Sequence, residues 1–145
     1  MGTMEYYKLI RNSVQLQDVR LISMECRNVI LESNEGDNRE VTIRVKRKVE
    51  LLDDQCVEIM MQAWIGFENQ DGPFEFKITY GGLCVSDEGL PEEDFKEYAY
   101  NQVVPLLLPY IRECVSSTMA RMNIPIFYLP TLDVLETLKA NEIVE

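Results

Sequence analysis

Apolar and polar side chains alternate with a period of two along most of the first ninety residues. From Arg39 to Leu51, Val41, Ile43, Val45, Val49 and Leu51 fall on one side and Glu40, Thr42, Arg44, Lys46, Lys48 and Glu50 on the other. This is the pattern of an antiparallel strand with one face on a core and one in water. Asp53-Asp54 supplies turn chemistry, and the run Cys56 to Phe67 then places Val57, Ile59, Met61, Ala63, Ile65 and Phe67 on one face. Its other face also carries Met60 and Trp64, so this strand is covered on both sides or meets a partner. After the turn Asn69-Gln70-Asp71-Gly72-Pro73, Phe74, Phe76, Ile78 and Tyr80 alternate with Glu75, Lys77 and Thr79. Gly81-Gly82 marks a bend or bulge before Leu83-Cys84-Val85. Upstream, Val14 to Cys26 reads as a strand whose apolar phase changes near Asp18, which a bulge or two-sided burial would explain. Asn34-Glu35-Gly36-Asp37-Asn38 is a polar turn between this strand and the next.

The period changes to helical after Gly89. Pro91-Glu92-Glu93-Asp94 has the form of a helix start, with proline in the first turn and acids at the positive end of the dipole, and the piece it opens reads as short. From Pro105, Leu107, Tyr110, Ile111, Cys114, Val115, Thr118, Met119 and Met122 form one stripe at helical spacing. Pro109 cannot donate to the carbonyl of Pro105, so a kink or late start is expected there. Ile124-Pro125 ends the helix. A second one is expected from about Thr131, with Leu132, Leu135, Leu138 and Ile143 as its stripe. Four strands followed by helices predict an α+β fold, with helices on one face of an antiparallel sheet. The 145 residues suit one domain, 1–145, without repeats or a linker.

Composition narrows the chemistry. Twenty-five acidic against fourteen basic residues give a net charge of −11, which opposes binding to a phosphate backbone and puts nucleic acid at the bottom of the partner list. There is no histidine, hence no Ser-His-Asp or Cys-His pair and no near-neutral imidazole base. Cys26, Cys56, Cys84 and Cys114 are about 30 residues apart with no close pair to chelate a metal. Their apolar neighbours favour reduced, buried thiols in a cytoplasmic protein. The N-terminus shows no basic-then-apolar leader pattern, and no apolar run approaches the ~20 residues of a membrane span.

Several features carry two readings each. Glu92, Glu93, Asp94 and Glu97, and the pair Asp53-Asp54, are acids in the places where helix starts and turns ordinarily attract them, rather than a calcium loop or catalytic set. Arg39, Arg44, Lys46, Arg47 and Lys48 make either a patch for an acidic partner or a solvated face matched by surrounding acids, and the second reading is favoured. Met60, Met61, Met119 and Met122 suit a core and equally an adaptable binding surface. Ile124-Pro125-Ile126-Phe127-Tyr128-Leu129-Pro130 holds four apolar residues between two prolines, a stiff extended segment that either packs beneath the last helix or walls an apolar groove.

The run Leu108-Pro109-Tyr110-Ile111-Arg112-Glu113-Cys114, with Ile124-Pro125 and Leu129-Pro130 after it, resembles the SecB family of protein-export chaperones. Gly81-Gly82-Leu83, Gly89 with its acidic helix start, Val14-Gln15-Leu16-Gln17 and Ile22-Ser23-Met24-Glu25 match as well, so the resemblance covers about Val14 to Leu138. It implies a four-stranded antiparallel sheet with helices on one side, assembled as a homotetrameric dimer of dimers, in which the first strand and the long helix take part. It implies no catalysis and no cofactor. By position, client polypeptides such as unfolded preproteins would lie against Phe127, Tyr128, Leu129, Leu132 and Leu135, supported by Met119 and Met122. The motor SecA would dock on a sheet face that includes Glu25, Glu75 and Lys77. Lys77 stands where the family has a glutamate, Leu21 stands where it has an aspartate, and the acidic tail of export members has no counterpart before Glu145. These departures weigh against motor docking and favour, as the runner-up, a SecB-like chaperone dedicated to an antitoxin. A carboxylate-dependent enzyme or small-ligand protein is the alternative from another class.

Overall fold

In the computed structural model the described residues are 14–29, 41–67 and 72–125. Four strands form one antiparallel sheet: β1 (Val14–Asn28), β2 (Thr42–Asp53), β3 (Cys56–Gly66) and β4 (Phe74–Ser86). Their order is β1-β4-β3-β2. The last three strands form a meander, and β1 lies beside β4, so β1 and β2 are the two edges. The polar stretch Asn34–Asn38 lies outside the described residues, but the strands on either side of it are not neighbours.

One helix, α1 (Glu92–Met122), covers the sheet. The face it covers carries Val57, Ile59, Met61, Ala63 and Ile65 of β3 with Phe76, Ile78 and Cys84 of β4, all at or below 1 % exposed. From α1 come Phe95, Ala99, Val103, Leu107, Ile111, Val115 and Met119, each completely buried. They recur every four residues, which keeps one helix face on the sheet. At about 25 cal/mol per Å2 of apolar area removed from water, this layer is the main source of stability.

Two expectations about this helix fail. It is continuous over 31 residues rather than a short piece followed by a late start, and both Pro105 and Pro109 lie inside it. The two prolines are exposed, so the carbonyls they leave without a helical donor, those of Asn101 and Pro105, belong to the solvent side of the helix. Tyr110, expected in the apolar stripe, is 42 % exposed, and Leu108 is buried instead. The predicted end is correct: Asn123 adopts φ 58°, ψ 42°, its N–H donates to the carbonyl of Ala120, and α1 stops. The second helix expected from Thr131 lies outside the described residues.

The phase change in β1 is a bulge. Register with β4 slips between Gln17 and Arg20, and Asp18 sits in the left-handed region at φ 52°. A second irregularity falls between Leu21 and Ser23. The Gly81-Gly82 pair does not bend its own strand: β4 runs through it, and its pairing with β3 is unbroken. The glycines instead make room for the bulged strand, because a Cβ on Gly81 would lie 2.6 Å from Ile22 Cδ1 and one on Gly82 3.1 Å from Leu16 Cδ1.

Candidate binding surfaces

The acids flagged in the sequence do local structural work. The Asp53 carboxylate accepts the Gln55 N–H at 2.7 Å, closing the β2–β3 turn, and the Asp54 carbonyl accepts the Leu90 N–H at 3.0 Å. Glu92, Glu93 and Asp94 form the first turn of α1, where negative charge complements the positive end of the helix dipole. Among the described residues no group of three metal-ligating side chains comes together, and no helix is long and apolar enough to cross a membrane.

The end of α1 is anchored to β1. Asn28 Nδ2 donates to the Met122 carbonyl at 2.8 Å, and the Cys114 thiol donates to Met24 Sδ at 3.3 Å, with Thr118 Oγ1 4.0 Å from the same sulfur. Met119 is completely buried and Met122 half-buried. The chain thus leaves Pro125 from a fixed point beside the end of the edge strand. Phe127, Tyr128, Leu129, Leu132 and Leu135, the residues expected to line a groove, lie outside the described residues.

Edge strand β1 has a second distinctive property. It is 15 residues long, is paired only with β4 among the described residues, and leaves Leu21 and Ile22 each 46 % exposed. Nearby, Tyr110 extends the apolar strip from α1, its ring 5.9 Å from that of Tyr80. Long apolar edges are rare in chains that stay alone, because unpaired N–H and C=O groups template further pairing. A pocket of about 340 Å3 opens at the bulge, bordered by Asp18, Arg20, Ile22 and Glu58.

The sheet face turned away from α1 carries Glu25, Glu75 and Lys77, as the strand pattern implies. Glu25 stands opposite Lys77 in the β1–β4 register, and Glu75 forms an ion pair with Arg27 at 3.1 Å. Opposite charges accompany both glutamates, so these residues do not make an acidic face. Of the cations expected on β2, Arg44 and Arg47 have partners, and Arg39 lies outside the described residues. Among the described residues Arg27 pairs with Glu75, whereas Lys46, Lys48 and Lys77 form no ion pair.

Cysteine placement follows the strand positions. Cys84 and Cys114 are buried, Cys56 is intermediate and Cys26 is exposed, so the expectation of four buried thiols holds for two. Cys26 is on an edge strand with one neighbour and lacks the second layer that covers Cys84. Burial pushes the Cys84 thiol up to about 11. Burial also raises Cys114, with Glu113 and Cys26 adding to the shift while Thr118 and Arg121 oppose it.

A four-stranded antiparallel sheet in the order β1-β4-β3-β2 with one long helix across it defines an α+β protein of the SecB-like fold. The family described as preprotein translocase subunit SecB matches residues 8–141, and the chain belongs to that family. Among solved structures it is similar to the Mycobacterium tuberculosis SecB-like chaperone Rv1957 in complex with a ChAD peptide from the HigA1 antitoxin, with TM-score 0.67 and 18% identity over 90% of this chain and 97% of that one. It is also similar to a protein of unknown function from Streptococcus agalactiae, with TM-score 0.48 and 14% identity over 81% and 96% of the two chains. No curated protein sequence matches.

Proposed function

We propose that this chain is a cytoplasmic, ATP-independent holding chaperone that keeps unfolded preproteins competent for export. Membership of the SecB family carries the reading. Its physical basis is the exposure of apolar side chains and unpaired backbone by a non-native chain, which an apolar groove and a strand edge hold without sequence specificity. The helix end fixed beside the edge strand β1 supplies a firm origin for the segment containing Phe127 and Tyr128. The same apolar edge, with Leu21 and Ile22, suits pairing between copies, in line with a dimer of dimers; several grooves on one particle would add avidity. The acidic surface keeps such a particle soluble.

The test is suppression of aggregation of a chemically unfolded client without nucleotide. Retention that weakens in Phe127→Ser/Tyr128→Ser, with native mass unchanged at four times 16.9 kDa, supports the reading. No suppression at a molar excess of tetramer rejects it.

A dedicated antitoxin chaperone is the second reading. It is favoured by the opposite charges beside Glu25 and Glu75, which offset two of the carboxylates expected to meet a SecA motor, and by the fold shared with a chaperone solved with an antitoxin peptide. Capture of SecA from solution supports the export role. Failure to capture it, together with selective retention of an antitoxin encoded beside the gene, supports the second.

A further inference from the structure

The sheet face opposite α1 gathers cations, of which Lys46, Lys48 and Lys77 form no ion pair among the described residues. On β2 the positions facing this side are Arg44, Lys46 and Lys48, all exposed, and β4 adds the exposed Lys77. Cross-strand register sets Arg44, Trp64 and Lys77 in one row, then Lys46, Gln62 and Thr79, then Lys48, Met60 and Gly81. With strands about 4.8 Å apart and alternate residues about 7 Å apart, Arg44, Lys46 and Lys48 line one side of Trp64, Gln62 and Met60, and Lys77 stands across from Arg44 beyond Trp64, in a patch roughly 15 Å across. The Arg44 guanidinium lies 5.1 Å from the Trp64 ring centre, and the indole remains partly accessible.

Lysines on an edge strand commonly guard it against pairing with another sheet, which would account for Lys46 and Lys48. That role does not reach Lys77, which sits on an interior strand, nor does it require an aromatic ring between the charges. We propose that this face docks an acidic polypeptide segment. Its carboxylates would engage Lys46, Lys48 and Lys77, and an apolar side chain would rest on Trp64 and Met60. A protein segment fits better than a nucleic acid, because Glu25, Glu50 and Glu58 border the patch and would repel a continuous line of phosphates, whereas separated carboxylates avoid them. This surface lies on the opposite side of the sheet from α1 and does not depend on client holding.

Trp64 is the chain's single tryptophan, so intrinsic fluorescence reports directly on the patch. Titrating the intact protein with a short synthetic Glu/Asp-rich peptide should change the emission saturably, with affinity falling as salt rises. Lys46→Glu/Lys48→Glu should bind about tenfold more weakly or worse, with Lys77→Glu moving the same way. If the charge reversals fail to fold by circular dichroism, Lys46→Gln/Lys48→Gln with Lys77→Gln gives the same reading. The proposal is overturned by no saturable change, by equal binding of the variants, by equal binding of a Lys-rich counterpart peptide, or by a single-stranded DNA oligonucleotide that binds as tightly. A change in native mass on Lys46→Glu/Lys48→Glu would make the patch a contact between copies and would also overturn it.

Discussion

The Arg47 guanidinium lies 3.7 Å over the Tyr100 ring and donates to the Tyr100 backbone carbonyl at 3.2 Å. Arg47 faces α1, between Val45 and Val49 on β2, and stands opposite the buried Met61. A cation on an otherwise apolar face is tolerable because its planar head stacks on one side and its N–H groups reach an acceptor. Arg47→Met should destabilise the fold by about 1–3 kcal/mol in urea titration, and Arg47→Lys should recover only part, since an ammonium cannot stack and donate in the same geometry.

The β1 bulge depends on a residue that accepts positive φ. Asp18→Asn should be nearly neutral, whereas Asp18→Val should cost about 1–2 kcal/mol, because a branched Cβ crowds the backbone in the left-handed region. Chemical denaturation of the two variants side by side checks the difference. Equal stability would mean that the chain relaxes the bulge at no cost.

Cys84 makes stability depend on alkaline pH. Its folded pKa, about 11, is above the ordinary thiol value near 8.5, so the folded state holds the proton more tightly than the unfolded state. The contribution is complete below about pH 8.5 and is lost as pH rises through 11, amounting to roughly 3 kcal/mol. Burial of Cys114 acts in the same direction. Comparing urea midpoints at pH 8 and pH 10.5, Cys84→Ala should lose less stability on the alkaline shift than the parent protein does. In a thiol-labelling experiment on the folded protein, Cys26 should react first and Cys84 only on unfolding.

Pro105 and Pro109 each remove an N–H from the interior of α1 and pack little, since both are exposed. Pro109→Ala restores a donor to the Pro105 carbonyl and should raise stability by about 1 kcal/mol or more, read from the denaturation midpoint. A loss of stability would show instead that the sheet requires the local geometry proline imposes.

Exposed charge pairs should matter little by comparison. Arg27 and Glu75 have side chains 68% and 41% exposed, so Glu75→Gln should change stability by less than about 0.5 kcal/mol. A larger effect on partner capture than on the denaturation midpoint would identify the residue as part of a docking surface.

The strands were legible because a half-buried strand must alternate. Val57, Ile59, Met61, Ala63 and Ile65 read as one face in the sequence and form one face of β3. The change of phase at Asp18 reads in the sequence as a bulge or two-sided burial, and it is a bulge. The helix was legible at its end, where Asn123 and Pro125 stop it, and illegible in its middle, because two prolines at exposed positions are tolerated when packing holds the opposite face. Of the expected groove residues, Met119 and Met122 lie on α1, the first buried and the second half-buried, and the other five lie outside the described residues.

The sequence by itself determined the alternation of the four strands, the acidic balance, the lack of histidine and the Pro-Tyr-x-Arg-Glu run that marks the family, because each is a local pattern or a count. Tertiary structure alone decided which strands are neighbours, that Arg47 meets Tyr100, that Glu25 and Glu75 face opposite charges, and that three lysines around Trp64 pair with nothing among the described residues. Cross-strand register joins residues far apart in the chain, and charge pairing depends on distances of a few ångströms that no spacing along the sequence specifies.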